Sequence, residues 1–219
     1  MQNLQKLATL LKTKSERVNL FSTRDRELLG EKHIPDSLAI LEFCELYGSE
    51  DQVLQVADIG TGGGLPGLAL AIARPGTDFT LIDSRQKKIE AVQEVVDELG
   101  LENVHTVSGR FERLAHDTKF RKKFDIVTAR AVAPLPTLLE YVAGFLKLKG
   151  EFYAWKGVGY ETELESAKKA MHVLGLEFVE GFEYELPGVE KRVVLKFVKN
   201  GDLHEKYPRR DGVPKAKPI

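Results

Sequence analysis

Asp58-Ile59-Gly60-Thr61-Gly62-Gly63-Gly64-Leu65-Pro66-Gly67 is where an apolar run passes into glycines, and its reading decides the fold. The residues leading into it, from Val53 to Ile59, are nearly continuous apolar sequence, the pattern of a strand buried on both faces in a parallel sheet. The residues after it, Gly67 to Ala73, read as a short helix. Five glycines within the eight residues from Gly60 to Gly67 let the backbone approach a ligand closely, and the helix start offers it amides.

The same alternation continues downstream. Phe79 to Asp83 reads as a second strand, and Gln86 to Leu99 as a helix with Ile89, Val92, Val96 and Leu99 on one side. Strands are expected at Val104 to Ser108, Phe124 to Thr128 and Gly150 to Trp155, with helices at Leu135 to Phe145 and Glu161 to Leu174. Strand and helix in turn predict a parallel sheet covered on both faces. The pattern then changes: Phe182, Tyr184 and Leu186 alternate with Glu183 and Glu185, Pro187-Gly188 supplies a turn, and Val193, Leu195 and Phe197 alternate again. Two strands so closely joined must be antiparallel. Upstream, Leu4 to Val18 reads as a helix and Asp25 to Tyr47 as another, broken near Pro35. The expected organisation is a helical extension over 1–50, an α/β domain over 51–200, and a basic, proline-containing, extended tail over 201–219. A mostly parallel seven-stranded sheet closed by an antiparallel hairpin has the outline of the Rossmann-like class I methyltransferases that use S-adenosylmethionine.

Composition narrows the function. The chain has 219 residues, 42% of them hydrophobic, and a formal net charge of −1, so it can bury a core and is no polycationic nucleic-acid coat. Its one cysteine, Cys44, excludes a disulfide framework and a cysteine-based metal centre, and the five histidines have no metal-ligand spacing. No metal dependence is expected. Residues 1–14 carry no unbroken apolar stretch and no later run suits a bilayer, which reads as a cytoplasmic protein without membrane contact.

The candidate site residues follow the strand ends. Gly62 to Gly67 satisfies the dinucleotide pattern G-x-G-x-x-G, but that frame starts two residues after the strand ends at Gly60. Asp58, Gly60, Gly62 and Gly64 instead fit the methyltransferase loop in register. Asp83 lies about twenty residues beyond the glycines, where a carboxylate accepts hydrogen bonds from ribose hydroxyls. Its position implies an adenosine-type ligand, S-adenosylmethionine or NAD. Phe111 and Glu112 follow the third strand, at the place for an adenine contact. Arg130 puts a permanent cation with five donors at the end of the fourth strand, where substrate chemistry occurs in such folds. That strand lacks both an Asn/Asp-Pro-Pro-aromatic tetrapeptide and a thiol nucleophile. Lys87 with Lys88, and Arg209 with Arg210, are basic clusters able to hold phosphates or to lie solvated on the surface.

These residues resemble the small-subunit ribosomal RNA methyltransferase G family, also called glucose-inhibited division protein B. The likeness rests on Asn19-Leu20, His33-Ile34-Pro35-Asp36-Ser37-Leu38, the Asp58 to Gly67 loop, Lys87-Lys88, Arg130-Ala131, Lys156-Gly157 and the ending Tyr207-Pro208-Arg209-Arg210-Asp211-Gly212-Val213-Pro214. It implies N7-methylation of a guanine in the 530 loop of 16S ribosomal RNA, in the small subunit or an assembly intermediate, with S-adenosylhomocysteine as product. It implies cofactor contacts from Gly60, Leu65, Phe111, Glu112 and Arg130. Apart from the resemblance, a cationic donor, Arg130 or Lys156, is expected to hold guanine O6 and leave N7 free, His33, Lys87, Lys88, Arg209 and Arg210 are expected to contact the RNA, and the chain is expected to be a monomer. Phe111 stands where the family usually has Ala or Val, and Asp83 where it commonly has Glu. The other readings are an NAD-binding protein or reductase, and a ribosome-binding factor without turnover.

Overall fold

The structure is a computed structural model describing residues 2–44, 46, 53–186 and 191–219. Seven strands form one sheet: β1 (Gln55–Ile59), β2 (Asp78–Asp83), β3 (Val104–Ser108), β4 (Phe124–Arg130), β5 (Leu146–Lys156), β6 (Leu176–Tyr184) and β7 (Arg192–Lys199). Their order is β3-β2-β1-β4-β5-β7-β6, parallel from β3 to β5, with β7 antiparallel to both β5 and β6. The expected class I outline is therefore present. The turn assigned to Pro187-Gly188 and the end of the leader at Tyr47 lie outside the described residues.

Side chains alternate between two cores because successive strand residues face opposite sides of the sheet. Val56, Phe79, Leu81, Tyr153 and Trp155 belong to one apolar cluster, and Ala57, Ile82, Phe152, Ala154 and Leu195 to the other. The first face is covered by α4 (Gly67–Ala73), α5 (Gln86–Leu99) and the leader. The second is covered by α7 (Leu135–Ala143), α8 (Tyr160–Ser166) and α9 (Lys168–Leu174). The helix expected over Glu161 to Leu174 is thus two helices, meeting at Ala167.

The leader is more broken than its periodicity suggests. α1 (Gln2–Arg17) is followed by α2 (Thr23–Glu27), a π-helical turn at Leu29–His33, α3 (Ile34–Leu38) and a 3-10 turn at Ala39–Glu42. Pro35 does not break a helix here. It sits in the first turn of α3, where a missing amide costs nothing because that amide has no helical partner. Leu7, Leu11, Leu29 and Ile40 are almost wholly buried in the first core, so the leader is a layer of the α/β body. Each such side chain is worth about 1.5–3 kcal/mol of burial.

The tail corrects a second expectation, because it is folded back and not extended. Arg209 donates to Glu140 from its backbone amide at 2.8 Å, from Nε at 2.9 Å and from Nη2 at 2.6 Å. Glu140, on α7, has a fully buried side chain. His116 bonds the Pro208 carbonyl at 2.7 Å, and a last helical turn, α10 (Val213–Ala216), receives Thr137 Oγ1 on the Pro214 carbonyl. The segment 207–217 is a strap over α6 (Phe111–Leu114) and α7.

Lys199, at the end of β7, is 2% exposed and its Nζ donates to the Gly201 carbonyl at 3.0 Å. Burial, helped by the charges of Lys122 and Arg121, pulls its pKa down to about 8. Between about pH 8 and the unfolded value near 10.4, the unfolded chain binds more protons, so stability rises with pH across that window. Lys199→Met removes the charge. It is expected to stabilise the chain by about 1–2 kcal/mol at neutral pH and progressively less toward about pH 10, measured by urea unfolding at both pH values.

Candidate cofactor and substrate site

Sheet order reverses between β1 and β4, which opens a crevice at their carboxyl ends. A cavity of about 650 Å³ occupies it. Gly60, Thr61, Gly62, Gly63 and Leu65 line it from the glycine loop, Asp83 from the end of β2, Phe111 from the start of α6, and Arg130 from the end of β4. Of the residues singled out in the sequence, Gly60, Gly62, Leu65, Asp83, Phe111 and Arg130 are thus brought together.

The loop is held from behind. Asp58 is fully buried, its Oδ2 accepting the Gly67 amide at 3.0 Å and its Oδ1 the Thr128 hydroxyl at 2.9 Å. Burial pushes its carboxyl pKa up, and these bonds oppose the shift. Asp58 is therefore a strut of the loop and not a cofactor contact, which corrects its expected role. Gly64 is also behind the loop: a Cβ there would meet Leu68 at 2.4 Å. Gly67 packs so close that a Cβ would lie 2.0 Å from Leu81. Gly62 faces the other way. With φ at +57° it takes a conformation that side chains disfavour, and a Cβ would come no nearer to protein than 3.8 Å. Space beside it belongs to the cavity.

Asp83 accepts the Gly62 amide on Oδ2 at 3.0 Å and the Arg85 amide on Oδ1 at 2.8 Å. Each oxygen keeps a lone-pair direction for a hydroxyl donor. Phe111 packs at 60° against Tyr141, their centroids 5.4 Å apart, making an aromatic wall. Glu112 is 2% exposed and lies outside the cavity lining. Its Oε1 accepts from Arg110 at 2.8 Å and from the Gly212 amide of the strap at 2.9 Å.

Arg130 gives Nη1 to Asp36 at 2.7 Å and to the His33 carbonyl at 3.1 Å, both on the leader. The next residue, Ala131, has φ at +57°, a strained conformation for a residue with a Cβ, and it turns the chain at the cavity rim. Lys156 does not reach the cavity. Its Nζ is held by Glu163 at 2.6 Å and the Ala133 carbonyl at 3.2 Å, which corrects its assignment to the base.

The basic residues separate as well. Lys88 and His33 line the cavity, and burial lowers the pKa of each. Lys87 and Arg210 are exposed, whereas the Arg209 guanidinium is committed to Glu140, a correction to its expected phosphate role. The sequence reading missed Phe21, Asp36, Arg110, Tyr141 and Arg192, all at the cavity, where Lys215 of the basic tail also lies. Arg110 was findable, since it directly precedes Phe111 at the same strand end. Arg192 carries no local signal. Among the described residues there is no cluster able to hold a metal ion, and no helix is long and apolar enough to cross a membrane.

The reversed sheet with its antiparallel hairpin, and a glycine loop and strand-two acid around one cavity, define the class I methyltransferase fold. Solved structures with this fold include a mutant of the 16S rRNA (adenine(1408)-N(1))-methyltransferase from Catenulisporales acidiphilia, at TM-score 0.57 and 16% identity over 69% of this chain and 87% of that one. The [4+2]-cyclase SpnF is similar too, at TM-score 0.58 and 15% identity over 77% of this chain and 81% of that one, so the likeness fixes the fold alone. The chain belongs to the rRNA small subunit methyltransferase G family, whose family model matches residues 1–185. Relatives named ribosomal RNA small subunit methyltransferase G include those of Lactococcus lactis subsp. cremoris (strain SK11), 38% identical over 100% of this chain and 91% of the relative, and of Syntrophomonas wolfei subsp. wolfei, 37% identical over 99% of each.

Proposed function

We propose that the chain uses S-adenosylmethionine to methylate N7 of a guanine in the 530 loop of 16S ribosomal RNA, met in the small subunit or an assembly intermediate in the cytoplasm. The observation that carries this reading is the convergence of Gly62, Asp83, Phe111 and Arg130 on one cavity. S-adenosylmethionine, when bound, supplies an electrophilic sulfonium methyl. The open space beside Gly62 suits its amino-acid part, Asp83 suits ribose hydroxyls, and the Phe111 wall suits an adenine face.

Guanine N7 carries an in-plane lone pair and no proton at neutral pH, so no side chain has to act as a base. The β4 edge agrees with this, since Ala131, Val132, Ala133 and Pro134 follow Arg130 there. The cavity carboxylates are already occupied: Asp83 by two amides, Asp36 by Arg130 and Tyr184, and Asp25 by Ser22 and His33. Arg130 can donate to guanine O6, fixing the base while leaving N7 free. Exposed Lys87 and Arg210 are the outer phosphate contacts of this reading, with Lys88 and His33 at the cavity.

Asp83→Ala is expected to weaken cofactor binding by about 1.5–3 kcal/mol, the value of hydrogen bonds to a charged acceptor, as read by calorimetric titration. The same titration with NAD should show no binding, and NAD binding at the expense of S-adenosylmethionine would replace this reading. Digestion of treated small subunits should release N7-methylguanosine. N6-methyladenosine or 5-methylcytidine would refute the base assignment, and single-turnover rates rising tenfold per pH unit through neutrality would show an essential base.

A further inference from the structure

Among the leader residues that line the cavity, Asp36 is tied most closely to the sheet. Asp36 is 5% exposed. Its Oδ2 accepts from Arg130 Nη1 at 2.7 Å, its Oδ1 from the Tyr184 hydroxyl at 2.6 Å, and its backbone carbonyl from Trp155 Nε1 at 2.8 Å. Strands β4, β5 and β6 thus all bond to a single residue of α3. The bonds from Arg130 all leave from Nη1, so Nε and Nη2 keep three hydrogens for whatever occupies the cavity.

Charge gives this arrangement a purpose beyond packing. Arg85, Lys88, Arg110, Arg192 and Lys215 already line the cavity with Arg130, against the carboxylates of Asp25, Asp36 and Asp83. Such an excess of positive charge suits a polyanionic RNA and opposes a methyl donor that is itself a cation at sulfur. Arg130 stands at the β4 edge, where the methyl must pass to the base, so its charge bears on the sulfonium most directly. The Asp36 carboxylate, in direct contact and screened from water, offsets that charge while leaving the donors in place.

We propose that Asp36 is a positioning residue that holds Arg130 at the β4 edge as a charge-neutralised donor, so that it can bond substrate without repelling a sulfonium. This rests on the methyl-transfer reading above. The Tyr184 hydroxyl fixes the second carboxylate oxygen, and its phenol, raised far above its ordinary pKa by burial and by Asp36, stays a donor. His33 faces the same group from the leader, with its pKa lowered by burial and by Arg130.

The test compares two ligands that differ in charge at sulfur: S-adenosylmethionine, a sulfonium, and S-adenosylhomocysteine, a neutral thioether. Affinities for both are measured by calorimetry at about pH 7.5 on wild type, Asp36→Asn, Arg130→Gln and the double variant, with thermal unfolding to verify the fold. Asp36→Asn leaves Arg130 uncompensated, so the affinity for the sulfonium should fall on the order of tenfold more than that for the thioether. Arg130→Gln leaves Asp36 uncompensated and should shift the ratio the opposite way, which keeps the test decisive if Asp36→Asn does not fold. The double variant should return the ratio to that of wild type. A merely structural role lowers both affinities together, and an unchanged ratio in the folded single variants overturns the proposal. A wild-type chain that binds neither ligand overturns the methyl-transfer reading and this one with it.

Discussion

Gly62→Val is expected to abolish binding of S-adenosylmethionine, by more than about a hundredfold, in a chain that still folds. The two halves of that statement have separate causes. A Cβ at Gly62 meets only the Gly60 carbonyl and Lys88 Nζ, each at 3.8 Å, so no protein atom has to move for it. The positive φ costs about 1–2 kcal/mol, which a domain with a stability of about 5–15 kcal/mol survives. The branched side chain, however, projects into the space that the ligand needs and cannot swing away at a strained backbone position. Calorimetric titration alongside a thermal melt reads both outcomes, and retained affinity in the folded variant would remove the glycine loop from the site. Gly67→Ala is the control in the opposite sense. Its methyl would lie 2.0 Å from Leu81 Cδ2 and 2.9 Å from Asp58 Oδ2, inside the core, so it should lose the fold before it loses the ligand.

Arg209→Ala should destabilise the chain by about 3 kcal/mol, because it strands the Glu140 carboxylate without its cation. Glu140 is fully buried, whereas the Arg209 side chain is 29% exposed, so water can partly replace the lost partner. That places the cost at the lower end of the usual range for breaking a buried pair. In a chain of this length it corresponds to a fall in Tm of about 6–12 °C. Arg210→Ala, next to it but exposed, should stay within about 0.5 kcal/mol of wild type. It should instead lower the affinity for small subunits and reduce the steepness with which that affinity falls with salt. Equal stability of the two variants would show that the strap does not depend on the Arg209 pair.

The body of the sheet was legible because its signals are local. Helix α5 begins and ends where its periodicity and the glycine at position 100 place it, with Gly100 in the left-handed conformation that closes a helix. Gly60, Gly62 and Asp83, read from the ends of β1 and β2, lie at the cavity, since strand ends point into the crevice in this topology. Polar side chains were harder to place by type alone. Asp58, Lys156 and Arg209 each have the chemistry to hold a ligand, and each is bonded to a partner inside the protein, while Glu112 bonds the Gly212 amide, 100 residues on, through Oε1 and keeps a buried Oε2 without a partner. No periodicity reports such a partner. The leader was misread for a similar reason, since its pieces take their directions from tertiary bonds made by Asp36 more than from helix propensity.

The span of those bonds bears on how the chain is made. Asp36 leaves the ribosome early, but Arg130, Trp155 and Tyr184 follow it by 94, 119 and 148 residues. The apolar face of the leader is therefore without its cover for much of synthesis, at elongation rates of about 5–20 residues per second. The strap is later still, because the Gly212 amide that holds Glu112 follows it by 100 residues. Chains terminated before Tyr184 should accordingly yield no partly active enzyme, only polypeptides exposing the leucines of α1 to chaperones and proteases.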